Sequence, residues 1–312
     1  MEPVQRRARQ PFVPQGKAVP LQIWLALCVL ACFVTSCGSS GPAISVGSKF
    51  FTEQVVLGEL LAQHIEARMP GVRVNRKSNL GGTLLCQKAM LSGDLDLYVE
   101  YTGTALTGVL GEAPDDDDSA KIYERVKAGY AQRFHFAVTE PLGFANSFAM
   151  VVRGDDAERY HLKNISDLAP VAGQWRAGFG YEFLERPDGY AGLAKRYGLN
   201  FSRAPSVMDL GLIYRALVDR RVDIVAGNST DGLIEALHLV ALRDDRHYFP
   251  PYDAVPIVRE DTLAKFPQLR AVLAELQGKI SEEEMRKMNY EVDADQRDVR
   301  AVVRAFRESK GL

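Results

Sequence analysis

"DLDLYVEYTGTAL", Asp94–Leu106, is the stretch on which the reading of the fold turns. It reads as a short strand that stops at a tyrosine, two threonines and a glycine, then resumes as an apolar helix. A purely structural turn is made more simply with Gly, Asn or Pro. The tips of strands in open α/β sheets are where ligands are held. A ring and two hydroxyls at such a tip therefore predict a binding site, provided that other segments converge on it.

Upstream, the same alternation continues. "AISVGSKF" predicts a strand ending at Gly47-Ser48, and "TEQVVLGELLAQHIEARM" repeats apolar residues at Val56, Leu57, Leu60, Leu61 and Ile65 with helical period. "GVRVNRK" predicts the next strand and "GGTLLCQKAMLSG" the next helix. A βαβαβ rhythm implies a mostly parallel sheet with helices on its faces. Downstream, strands are predicted at "SFAMVV", "RAGFG", "LNFSR" and "VDIVAG", with helices at "EFLERPDGYAGLAKRYG" and "SVMDLGLIYRALVDRR". The C-terminal part reads as helical through "DTLAKFPQLRAVLAELQGK", "SEEEMRKMNYEV" and "DVRAVVRAFRES", with Ser281 and Glu284 forming a capping box. The run "DDDD" at 115–118 lacks the spaced oxygens and the glycine of a calcium loop and reads as a solvated loop.

The first 36 residues read as a targeting segment. Arg6, Arg7, Arg9 and Lys17 precede a 14-residue apolar run, "LQIWLALCVLACFV", short of the ~20 residues a spanning helix needs. Small residues follow in "VTSCGSS", which puts Cys37 where a lipoprotein signal has its acylated cysteine. Cleavage before Cys37 would leave Cys86 as the single remaining thiol, so the exported body holds together by its core and not by internal disulfides. Of 38 basic and 40 acidic residues, residues 1–36 hold four and one, which leaves 34 against 39. A mildly acidic body argues against nucleic acid as a partner.

Five segments place polar or aromatic residues where strands end. Lys49 stands just before a helix, whose free N–H groups already favour anions. "NLGGT" lets backbone approach closely before another helix. Tyr101 and Thr104, three apart on a first helical turn, share a face. "PLGFANSFAMVV" with "YEFLERPDG", and "AGNSTDG" with "HYFPPYDAVP", complete the set. The five histidines show no HExxH or other close metal-ligand spacing, and no G-x-S-x-G elbow occurs. No enzyme, metal or cofactor is expected.

In this order, "GSKFFTEQ", "NLGGT", "YVEYTGT", "EFLERPDG", "NSTDG" and "FPPYDAVP" resemble the substrate-binding proteins of osmoprotectant ABC importers, the glycine betaine/carnitine/choline-binding family. The resemblance covers nearly all of residues 43–312. It implies a two-lobed α/β fold of the type II periplasmic kind with the ligand cleft between the lobes. Lobe 1 is expected at 43–144 plus 252–312 and lobe 2 at 145–251, hinged to close over the ligand. The family's ligand is a small zwitterion with a quaternary ammonium and a carboxylate. Such a cation donates no hydrogen bonds and is recognised by ring faces, at about 0.5–2 kcal/mol per contact.

Carried over residue by residue, the resemblance makes Tyr101, Phe148, Asn228 and Tyr252 the box around the cation. Lys49, Thr104 and Arg186 become the carboxylate's partners, the guanidinium gripping it with two parallel bonds. Phe148 and Asn228 both stand where the family commonly has Tyr. Either a simple betaine is held weakly, or Asn228 hydrogen-bonds a polar part of a larger one, such as ergothioneine. The implied partners are a membrane permease with its ATPase and a membrane holding the lipid on Cys37, with the chain a monomer facing the periplasm or cell exterior. A ligand-sensing component is the alternative to an importer subunit. Asp231 is expected to cap a helix, and Trp175 to pack in lobe 2.

Overall fold

The rhythm around Asp94–Leu106 is followed element by element. In the computed structural model, which describes residues 41–114 and 118–312, the chain opens with β1 (Ala43–Gly47), α1 (Thr52–Arg68), β2 (Arg73–Lys77), α2 (Thr83–Ser92) and β3 (Leu97–Tyr101). The predicted signal segment, Cys37 and residues 115–117 of the acidic run lie outside the described residues. β1 pairs in parallel with both β2 and β3, the arrangement that crossover helices allow. The five apolar residues picked out on α1 by their period join one core with Ile44, Val46, Leu97 and Val99. After Tyr101 the chain makes one helical turn, Thr102–Thr104, and continues as a π-helical stretch, Ala105–Val109. A π-helix is rare and is found most often at functional sites.

The acidic run ends in a use for its last residue. Asp118 accepts from the backbone N–H groups of Ala120 and Lys121 and so caps α3 (Ser119–Phe134). There follow β4 (Phe136–Val138), β5 (Phe148–Arg153), α4 (Gly154–Tyr160), β6 (Ala177–Gly180), α5 (Tyr181–Glu185), α6 (Tyr190–Tyr197), β7 (Ser206–Met208), α7 (Ile213–Val218), β8 (Ile224–Asn228), α8 (Gly232–Ala236), β9 (Leu239–Leu242) and β10 (Ala254–Arg259). Helices α9 (Glu260–Lys265), α10 (Leu269–Ala274), α11 (Glu282–Asp293) and α12 (Val299–Lys310) close the chain.

The strands form two five-stranded sheets of one design, ordered β2-β1-β3-β10-β4 and β7-β6-β8-β5-β9. In the first, β10 is antiparallel to both β3 and β4, so the other four strands run one way. In the second, β5 is antiparallel to both β8 and β9, with the same result. The reversed strand in each sheet is the one that arrives by crossing from the other sheet. The two crossings run side by side: Asn146 N–H donates to the Tyr252 carbonyl at 3.0 Å and Ala254 N–H to the Phe144 carbonyl at 3.1 Å. Met285, Met288, Val302, Val303 and Phe306 of α11 and α12 return to the core around α1. Trp175 belongs to the core of the second sheet, with Met150, Phe179 and Ile224.

Several expectations are corrected. "LNFSR" is not a strand; the strand is "SVM", β7, which had been read as the start of a helix. The first predicted long helix of the second half divides at Pro187 into α5 and α6, and the C-terminal one divides at Pro267 into α9 and α10, because proline removes a helical donor and clashes with the preceding turn. β4, β9 and β10 were not anticipated. Proline inside a sheet is ordinarily confined to edge strands, yet Pro256 is in β10, which lies between β3 and β4. Its carbonyl accepts from Thr139 N–H at 2.9 Å, just past the end of β4. The missing donor falls on that same side and costs no rung with β3. Asp231 does stand at the N-cap of α8, but its side chain makes no cap bond there. Among the described residues no helix is long and apolar enough to cross a membrane.

Candidate functional site

The strands β1, β3 and β8 end, and the reversed strands β5 and β10 begin, at the same edges of their sheets. Lys49 follows β1, Tyr101 ends β3, Thr104 lies in the turn after it, and Tyr252 precedes β10. Phe148 starts β5, Arg186 follows α5, and Asn228 ends β8. All seven line one cavity of about 190 Å³. Its walls thus come from the carboxyl-end edges of both sheets, where an open α/β sheet leaves room for a ligand.

Three of the four expected box residues are rings. Phe148 and Tyr252 meet edge to face at 6.1 Å and 78°, a favourable aromatic geometry. Tyr101 is stacked on Phe51 at 6.4 Å and 22°. Phe51 lines the cavity too and was not singled out from the sequence, although its position beside Lys49 at the start of α1 was the available signal. The Tyr101 hydroxyl donates to Glu53 Oε1 at 2.6 Å. Glu53 is buried and takes three further bonds: from Asn146 Nδ2 at 2.8 Å, Thr230 Oγ1 at 2.5 Å and Asn289 Nδ2 at 3.1 Å. These donors come from the crossing segment, the end of β8 and α11. One carboxylate therefore ties a cavity ring to both sheets and the C-terminal helices. Burial pushes the Glu53 carboxyl up from its ordinary value, and its four donors offset that only in part.

Both expected cations already have partners. The Lys49 ammonium is buried and paired with Glu100, and stands 5.1 Å from the centre of the Tyr101 ring. Arg186 grips Asp188 with two bonds, Nε to Oδ1 at 2.9 Å and Nη2 to Oδ2. Tyr252 adds its hydroxyl to Asp188 Oδ2 at 2.5 Å, and the guanidinium lies 5.0 Å from the Phe148 ring centre. Burial alone would lower the Arg186 pKa, but the adjacent Asp188 carboxylate outweighs it and holds the guanidinium above its usual value. The resemblance assigns Lys49 and Arg186 to a ligand carboxylate, although Arg186 could also be read as pairing with Glu182 or Asp188 in its own segment. Here each is neutralised by a resident carboxylate, so the ion pairs add no net charge to the cavity wall. Glu182 and Asp209 also line the cavity, so its wall carries acidic groups beside the two neutralised pairs.

Glu182, which lines the cavity, also makes a contact that no motif announced. Thr83 N–H, at the start of α2, donates to Glu182 Oε1 of α5 at 2.7 Å. Gly82 makes room for it, since a Cβ there would lie 2.4 Å from that oxygen. Gly82 of "NLGGT" is thus explained by a carboxylate of α5, whereas Gly81 is required by its φ of +126°.

A two-lobed α/β chain with a ligand-sized cavity at the facing strand ends is the architecture of a solute-binding protein. This one belongs to the family of substrate binding domains of ABC-type glycine betaine transport systems, which it matches over residues 42–309. It is 38% identical over 282 residues to the carnitine transport binding protein OpuCC of Listeria monocytogenes, covering 88% of this chain and 91% of that one. It is 32% identical over 269 residues to the ergothioneine transport permease/ergothioneine binding protein EgtU of Helicobacter pylori, covering 86% of this chain and 47% of that protein. A crystal structure of a glycine betaine/carnitine/choline ABC transporter protein superposes with a TM-score of 0.71 at 33% identity, covering 86% of this chain and 98% of that one. The family consists of extracytoplasmic solute-binding components of importers, which hand a small ligand to a permease and are not enzymes.

Proposed function

We propose that the cavity binds a zwitterion with a quaternary ammonium at one end and a carboxylate at the other, for delivery to a permease and its ATPase. Tyr101, Phe148 and Tyr252 offer ring faces to the cation. Arg186, Lys49 and Thr104 receive the carboxylate, the two cations doing so beside their resident partners. The lobes, 43–144 plus 252–312 and 145–251, move about the paired crossings, and closure brings Glu182 to the start of α2. The chain acts as a monomer, exported and held to the membrane by lipid on Cys37. What carries the reading is the convergence of seven residues, spread from position 49 to position 252, on one cavity of rings and neutralised cations.

A thermal-shift series with glycine betaine, carnitine, choline and ergothioneine tests it. A ligand at about 100 times its Kd stabilises by roughly 2.7 kcal/mol. The expected result is stabilisation by at least one betaine that disappears in Tyr252→Ala. No response to any betaine, or full retention in that variant, removes the proposal.

A further inference from the structure

Asn228 occupies the cavity wall without a ring, and its surroundings decide which half of its amide a ligand meets. Its backbone N–H donates to Asp231 Oδ2 at 2.9 Å, and its Nδ2 reaches both Asp231 oxygens at 3.3 Å. Asp231 also takes the Tyr214 hydroxyl at 2.6 Å. With three donor groups aimed at it, this carboxylate acts as an acceptor, so the amide turns its NH2 toward Asp231 and leaves Oδ1 for the cavity. The register places Asn228 directly opposite Phe148 across the β5–β8 pair, so amide and ring share one face of the sheet. Asp209 lines the same cavity, with one carboxylate oxygen taken by Gly211 N–H at 2.8 Å. The wall supplied by the second sheet therefore presents hydrogen-bond acceptors beside the aromatic ones.

We propose that Asn228, its amide held by Asp231, is an acceptor subsite that selects betaines bearing an O–H or N–H donor over simple trimethylglycine. The inference rests on the betaine reading above and narrows it. A trimethylammonium group has no N–H or O–H to give, so glycine betaine leaves the pinned oxygen without a partner once water is excluded. A ligand with a hydroxyl or a ring N–H satisfies it. Sites built to hydrogen-bond a ligand group discriminate strongly against analogues that lack it, whereas apolar pockets discriminate weakly.

The test is calorimetric titration of the protein with three probes that share a trimethylammonium and a carboxylate: glycine betaine, carnitine with one hydroxyl, and ergothioneine with ring N–H groups. At least one donor-bearing probe is expected to bind about tenfold or more tightly than glycine betaine, as one unpaired buried acceptor implies. Asn228→Leu should reduce that preference to about twofold or less, and Asn228→Tyr should do so while strengthening glycine betaine. Asp231→Asn, which frees the amide to turn over, should lower the preference while glycine betaine still binds. Equal affinity for all three probes in the unaltered protein, or a preference that survives Asn228→Leu and Asn228→Tyr, overturns the subsite and leaves the betaine reading standing. Failure of all three probes to bind overturns both.

Discussion

Replacing Asp188 by Asn is the most informative single change in the site. Asp188 is 2% exposed and Arg186 11%, so the pair is almost dry. Asparagine keeps the shape and one oxygen that can accept from Arg186 or Tyr252, but it removes the counter-charge. Taking one partner from a buried ion pair costs about 3–5 kcal/mol, because the other charge is left uncompensated. The cavity beside Arg186 admits water, which favours the low end, about 3 kcal/mol. For a chain of this size each kcal/mol moves Tm by about 2 °C, so ligand-free Asp188→Asn should melt about 6 °C below the unaltered protein. Added betaine then supplies the missing anion. If its carboxylate recovers half of the loss, about 1.5 kcal/mol, Kd tightens about tenfold. Differential scanning calorimetry with and without ligand, joined to titration calorimetry, reads both quantities. A ligand-free variant melting within about 1 °C of the parent, or one that binds betaine more weakly, refutes the reasoning.

Three other outcomes follow from the geometry. The Glu53 carboxyl is raised above its ordinary value of 4.5 by burial, so its contribution to stability is full below that value and is lost as pH rises through the folded pKa. In urea melts the stability difference between the parent and Glu53→Gln should therefore shrink as pH climbs from 4.5; a difference that stays flat or grows contradicts this. Gly232 of α8 has no room for a Cβ, which would lie 2.4 Å from the backbone of Tyr290 in α11. Gly232→Ala should cost about 1–3 kcal/mol of overpacking, and thermal melts equal to the parent would show that the helices separate freely. Burial pushes the Cys86 thiol up to about 12, so a thiol reagent at pH 8 should modify it only in denaturant. Prompt labelling of the native chain 42–312 would contradict the buried placement.

Local pattern by itself determined a good deal. The period of α1, the strands at 43–47, 73–77 and 97–101, and the Ser281–Glu284 capping box are all written within a few neighbouring residues. The resemblance carried by six short motifs named seven residues, and those seven line one cavity. β4 and β7, at three residues each, and β9, at four, are too short for a period to register. β10 was obscured by Pro256, whose cost vanishes only because β4 ends beside it. Nor could any local pattern show that Lys49 is neutralised by Glu100 or that Glu53 gathers donors from four distant segments. Ion pairs and hydrogen bonds between residues far apart in the chain depend on which strands lie side by side. Periodicity records which face of an element is buried; only the assembled sheets decide what that face is buried against.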